Sequence, residues 1–388
     1  MRRRVADPKR GGGAVRDLRE LLAAFERVRA EGRYAALVTV VRVAGPAYRR
    51  PGARMLIAAG GARVGLVSGG CLEADLAERS RGALESGRAL AVAYDASTDE
   101  ELVFGLGSGC GGKIEVLIER VPERPDGGHL ALASRCFARR EPFALATVFG
   151  SDGAVRVGSR CWRTARGESG GDVDDAALAA ELGRAAAAAI VDRRNRIVSV
   201  RTTEGAVEAL VEALFPPPEL LVLGAGSDAL PVVRLAVRLG FDATVADLRP
   251  ALARPERFPG AVRVVACDPG RLVETLAPDP ESSVLVMSHV FAHDVGYLRE
   301  LVPRHRGYLG VLGSRARTER VLAELAKEGV VLSAAQRARI RAPVGLDIGA
   351  ETPEEIAVSA LAEIRAVLAG RAGGTLSDRD APIHGDGA

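Results

Sequence analysis

Lysine is nearly absent from this chain: apart from Lys9, Lys113 and Lys327, every cationic side chain is arginine. Lys and Arg together number 53 against 50 Asp and Glu, a net charge of +3, so no basic excess points to a nucleic-acid partner. Aromatic residues make up only 4% of the chain, too few for a base-stacking platform. No apolar run reaches membrane-spanning length, and the basic N-terminus lacks the apolar core of a signal peptide. The five cysteines, at 71, 110, 136, 161 and 267, never pair as C-x-x-C, which argues against a disulfide framework or a structural zinc site. These absences leave a soluble globular chain of 388 residues, a length that suits two domains. It is expected in a reducing cytoplasm, with neither membrane nor nucleic acid as partner.

Glycine is what the chain has in place of these features, and two cysteines are set among it. One lies in Ser68-Gly69-Gly70-Cys71-Leu72-Glu73, the other in Gly105-Leu-Gly107-Ser-Gly109-Cys110-Gly111-Gly112. Glycine lets a ligand approach the main chain closely, and successive exposed N–H groups can cradle an anion. A thiol among them adds a soft ligand or nucleophile. An anion cradle with a thiolate suggests a cofactor carrying both phosphate and a soft metal.

Periodicity divides the chain into a leader (1–13), an N-terminal α/β domain with a mixed sheet (14–215), a C-terminal Rossmann-like doubly wound parallel sheet (216–369) and a disordered tail (370–388). Helical spacing covers 17–30 and about 72–86, and strands are expected over 35–43, 53–59, 64–67, 89–94 and 113–118. Strands over 143–149 and 155–162 and an Ala-rich helix over 176–189 follow; residues 207–214 fit a strand or a helix equally. Pro216-Pro-Pro218 marks the boundary. Beyond it strands and helices alternate, as in a doubly wound parallel sheet. The apolar strand 220–223 runs into Gly224-Ala-Gly226-Ser-Asp-Ala229, a helix follows, and Asp247 ends the next strand 21 residues after Gly226. That context reads as a dinucleotide turn, with Gly224 and Gly226 under a pyrophosphate and Asp247 on a ribose hydroxyl. The alternative is that the glycines serve only strand-to-helix packing.

The ordered motifs Pro51-Gly-Ala-Arg-Met55, Ser68–Glu73, Gly105–Gly112, Leu221-Val-Leu-Gly-Ala-Gly226, Val286-Met-Ser-His289, Leu309-Gly-Val-Leu-Gly-Ser-Arg315 and Gly345–Glu355 resemble the XdhC/CoxI family over residues 15–368. The chain departs from the family pattern at Ser227, where many members have His, and at Ser288, where Thr is common. The resemblance implies a maturation factor for xanthine dehydrogenase-type molybdenum hydroxylases. Such a protein binds molybdenum cofactor (molybdopterin), holds it for sulfuration by a cysteine desulfurase or other sulfurtransferase, and inserts it into the apo molybdenum hydroxylase. The chain has no cysteine pattern for Fe–S clusters and is short for flavin plus molybdopterin domains, so a chaperone is expected and not the oxidoreductase.

Several residues carry two readings. Cys71, before a helix start, is a thiolate that ligates molybdenum or contacts the cofactor, or else a buried apolar filler. Cys110 divides the same way, with Gly69, Gly70, Gly109 and Gly111 as the cofactor-facing backbone. Cys136, Cys161 and Cys267 read as core. Glu73 is a functional acid or a first-turn residue complementing the helix dipole. Arg54, with Arg49 and Arg50, binds a pterin phosphate or is solvated surface. His289 contacts ligand at the strand edge, is a structural histidine, or pairs with His293 on a metal. Asp347 and Glu351 brace a helix. Two further functions compete with the chaperone: an NAD(P)-dependent oxidoreductase using Gly224, Gly226 and Asp247, and a ligand-free docking scaffold. A homodimer stands beside a monomer as an open alternative.

Overall fold

The computed structural model describes residues 12–45, 47–70, 72–95, 112–122, 124–378 and 380. Asp17–Pro216 form one compact unit and Pro217–Asp380 a second.

In the first unit the expected mixed sheet resolves into two five-stranded sheets, each wholly antiparallel. The first comprises β1 (Ala35–Ala44), β2 (Arg54–Ala58), β3 (Arg63–Gly65), β4 (Leu90–Asp95) and β5 (Lys113–Val121), in the order β3-β2-β1-β5-β4. The second comprises β6 (Phe143–Ser151), β7 (Arg160–Thr164), β8 (Ser169–Gly171), β9 (Arg196–Thr202) and β10 (Gly205–Leu214), in the order β8-β7-β6-β10-β9.

Strand alternation shows how the sheets stack. Leu37 of β1 and Leu56 of β2 share a core with Phe143 and Leu145 of β6, while Val41, Leu117, Phe149 and Leu210 form a second patch between the sheets. The opposite face of the first sheet, through Ala36, Val38 and Val40, covers Leu72 and Leu76 at the start of the helix Glu73–Ser86. That of the second, through Ala144, Ala146 and Val148, covers the helix Ala176–Asp192. The result is a helix–sheet–sheet–helix sandwich, in which Asp175 caps the second helix as expected for a short acceptor before an apolar run.

Charge also crosses between these sheets. Arg54 of β2 donates Nη1 and Nη2 to the two carboxylate oxygens of Glu212 on β10, at 3.2 and 2.5 Å. Arg54 is 8% exposed and Glu212 is fully buried. Arg160 of β7 reaches Glu119 of β5 in a second buried pair, and Arg42 of β1 reaches Glu208 of β10 at the rim. The ambiguous segment 207–214 is therefore a strand, with Glu208, Leu210 and Glu212 facing the other sheet and Val207, Ala209, Val211 and Ala213 facing the helix.

The second unit is a six-stranded parallel sheet of β11 (Glu219–Leu223), β12 (Asp242–Asp247), β13 (Arg263–Ala266), β14 (Ser283–Val286), β15 (Leu309–Val311) and β16 (Ile340–Arg341). Its order, β13-β12-β11-β14-β15-β16, is the 3-2-1-4-5-6 winding of a Rossmann sheet. Helices Ala229–Arg238 and Pro353–Leu368 cover one face, and Phe291–Leu301 and Arg315–Lys327 the other.

Glu212→Ala would leave Arg54 buried without its carboxylate. The expected loss is about 3–5 kcal/mol in urea unfolding, most of it recovered by Arg54→Met/Glu212→Leu, which removes both charges. A single variant as stable as the wild type would show that the pair does not hold the sheets.

Candidate functional site

The first glycine loop is organised from beneath. Ser68 and Glu73 are both buried, and Glu73 is the first residue of its helix. The Ser68 hydroxyl donates to Glu73 Oε2 at 2.6 Å and the Ser68 N–H to Oε1 at 3.0 Å. The same hydroxyl accepts from the N–H groups of Gly70 at 3.2 Å and Leu72 at 3.3 Å. A serine oxygen has one proton to give and two lone pairs, and all three are used here. Gly69 and Gly70 are left exposed, with nothing among the described residues within 4 Å of where a Cβ would stand, and Gly70 holds φ +116°. Glu73 thus braces the loop from within as well as standing in the first turn of its helix. Cys71 lies outside the described residues, as do Cys110, Gly109 and Gly111 of the second loop.

Arg54 corrects the sequence expectation. Besides Glu212 it holds the carbonyl of Gly52 at 2.9 Å, so its guanidinium is committed inside the sandwich and does not face an anion from solvent. Arg49 is paired with Asp17.

In the second unit the switch point of the winding falls between β11 and β14, where open α/β sheets place ligands. Gly224 follows β11 with φ +121°, and a Cβ there would stand 2.4 Å from the carbonyl oxygen of Met287, beyond β14. Glycine at 224 is required on both counts. Its neighbour Ala225 donates its N–H to Asp247 Oδ2 at 2.7 Å. Asp247 is 1% exposed and also accepts from Arg249: from the backbone N–H at 2.8 Å, from Nε at 2.9 Å and from Nη2 at 2.8 Å. The carboxylate that the motif offers to a ribose hydroxyl is therefore engaged within the fold. Burial alone would raise its pKa, but the hydrogen bonds from Arg249 and Ala225 outweigh burial and hold it below the ordinary value.

His289, just past β14, holds φ +59°, a sparsely populated conformation for a side chain of its size. Its exposed ring pairs through Nε2 with Asp228 Oδ2 at 2.7 Å. The space beside Gly226 opens onto the same imidazole, whose Cδ2 would lie 3.8 Å from a Cβ at 226. Ser288 donates to buried Asp294 at 2.5 Å, and Arg317 closes on the other oxygen at 2.6 Å. Gly224, Gly226, Asp228 and His289 are thereby gathered at one sheet edge. Sequence reasoning passed over Asp228, 61 residues from its partner; the 3-2-1-4 winding that places β11 beside β14 is the signal that joins them.

Among the described residues no three His, Cys, Asp or Glu side chains cluster as a metal site, and the His289 ring is engaged with Asp228. Asp347 and Glu351 are exposed beside the capping box of Thr352 and Glu355. Cys136, Cys161 and Cys267 are free and buried, as expected of core. Burial pushes the first two thiols up to about 11 and raises the third. No helix among the described residues is long and apolar enough to cross a membrane.

Residues 28–95 match the family described as XdhC and CoxI, and residues 220–364 match the XdhC Rossmann domain. A Bacillus subtilis protein described as a probable xanthine dehydrogenase subunit is 31% identical over 85% of this chain and 92% of its own length. The Escherichia coli molybdenum cofactor insertion chaperone PaoD is 26% identical over 87% of this chain and 84% of its own. A crystal structure described as a xanthine dehydrogenase from Bacillus halodurans superposes with a TM-score of 0.73 at 26% identity, covering 92% of this chain and 98% of that one.

Two measurements check the site. The contribution of ionised Asp247 is complete above the ordinary aspartate pKa of about 3.9 and is lost as pH falls through its lower folded value. Asp247→Asn should therefore cost about 1–3 kcal/mol in urea unfolding at pH 7, with a gap that narrows on acidification through that window. A gap that does not vary with pH would mean that the charge is not used. Iodoacetamide at pH 8 should leave Cys136, Cys161 and Cys267 unmodified in the native protein, read by peptide mass spectrometry; rapid alkylation of any one contradicts its burial.

Proposed function

From the premise that the chain belongs to the XdhC and CoxI family, we propose that it is a molybdenum-cofactor-binding chaperone. In this reading it holds molybdopterin for sulfuration by a sulfurtransferase and inserts it into an apo molybdenum hydroxylase. The observation that carries the reading is the Ser68–Glu73 brace beneath an open Gly69-Gly70 backbone next to Cys71. The residues fit the group: the glycines leave the main chain approachable where a Cβ would stand, and the brace fixes that backbone before anything binds. The likeness to the insertion chaperone over most of both chains supports the same role.

Each residue then has a task. Gly69 presents its main-chain N–H to the phosphate and Gly70, whose own N–H is held by Ser68, leaves room beside it, with Gly109 and Gly111 as their counterparts in the second loop. Cys71 would supply a soft donor to molybdenum or contact the cofactor's sulfur, and Cys110 would be the second thiol. His289 with Asp228, beside Gly226, offers a polar contact in the second unit. The NAD(P)-dependent alternative is weakened because Asp247 already accepts four hydrogen bonds from within the fold.

The protein incubated with molybdenum cofactor should retain molybdenum through a desalting column, measured by plasma mass spectrometry. Cys71→Ala should raise the apparent Kd about tenfold, the equivalent of about 1.4 kcal/mol. No retention by the wild type, together with tight NADH binding, would favour the oxidoreductase; retention of neither alongside capture of apoenzyme would favour the scaffold.

A further inference from the structure

The helix Ala176–Asp192 carries only three charged residues, Glu181, Arg184 and Asp192, in 17 positions. A surface helix normally keeps a polar outer face, and one that is apolar all round belongs where both sides are covered. Its inner side is covered, through Leu178, Leu182, Ala186 and Ala189 against the second sheet. Its outer side carries Ala177, Ala180, Arg184, Ala187 and Val191, spaced alternately by three and four, which is the seam spacing of paired helices. Ala177, Ala180 and Arg184 are exposed and Val191 is 76% exposed. Alongside the seam a groove of about 540 Å³ separates the helix from β7 and β8, with Val173, Gly183 and Ala187 in its lining.

We propose that this face joins two copies of the chain, the two helices packing antiparallel about a two-fold axis level with Leu182. Charge selects both the occupant and the direction. Glu181 and Arg184 pair within the helix at present. An antiparallel copy centred at Leu182 sets each Arg184 opposite Ala180 of the other copy, next to its Glu181, so two reciprocal pairs form. A parallel copy would set Arg184 against Arg184. A partner surface of one sign would repel one member of the Glu181–Arg184 pair, which a second copy does not. The alanines let the helix axes approach to about 8 Å, the close end of helix packing. Val191 lies nine residues from the axis, about 13 Å at the helical rise, level with the start of the other helix where Val173 borders the groove.

Sedimentation equilibrium at up to about 100 µM, which detects even a weak dimer, should give a mass near twice 40.6 kDa. Glu181→Arg and Arg184→Glu each create like-charge contacts across the axis and should weaken the dimer at least about tenfold, since such contacts cost several kcal/mol. The double variant Glu181→Arg/Arg184→Glu restores complementarity and should restore the dimer. Circular dichroism should show all three variants folded, since both side chains are solvent-facing. A monomeric wild type, a dimer that neither single variant weakens, or a double variant as weak as the singles overturns the proposal.

Discussion

The first unit depends on two buried arginines being answered by two buried glutamates. Arg54–Glu212 and Arg160–Glu119 lie between sheets that elsewhere meet through hydrocarbon and, at the rim, through Arg42–Glu208. An ion taken out of water costs several kcal/mol, and only a partner at hydrogen-bonding distance offsets it. The stacking of the sheets is therefore restricted to registers in which both carboxylates meet both guanidiniums. Sliding one strand by a residue would turn Glu212 toward the helix and leave Arg54 alone. The same restriction reaches the Pro51-Gly52 turn: a Cβ on Gly52 would stand 2.3 Å from a carboxylate oxygen of Glu212, so the turn before β2 fits only while that glutamate stays in place.

The second unit rests on one carboxylate in a similar way. Asp247 ends β12 and ties the turn after β11 to Arg249, so two neighbouring strand ends are fixed by a single side chain. Arg257 adds a bond from its Nη1 to the Ala225 carbonyl at 2.8 Å. The turn keeps its shape from contacts within the fold, and Asp228 with His289 is the polar pair that remains open to solvent beside it.

Much of this was legible from residues. The parallel sheet follows from apolar strands alternating with helices, and the Gly224 turn from glycine spacing after β11. The segment Val207–Leu214 was not, because its two glutamates recur every four residues, as on a helix face. Their partners, Arg42 and Arg54, lie more than 150 residues away, at separations of 166 and 158, and a buried glutamate in a strand makes sense only once they are known. Arg54 misled in the complementary way: an arginine beside Pro-Gly suggests a phosphate, and nothing local shows that a carboxylate has claimed it. Glu73 could be placed at a helix start from sequence, whereas its bonds to Ser68 depend on the turn between them.

The Ser68–Glu73 brace has a kinetic consequence. Hydrogen bonds on either side of position 71 are closed without any ligand, so the backbone of Gly69 and Gly70 is already held in place for whatever the loop receives. In the proposed reading, this part of the loop adds no ordering step to binding or to departure. For a chaperone of the proposed kind, which hands its cargo on, such symmetry between loading and unloading matters more than tight retention.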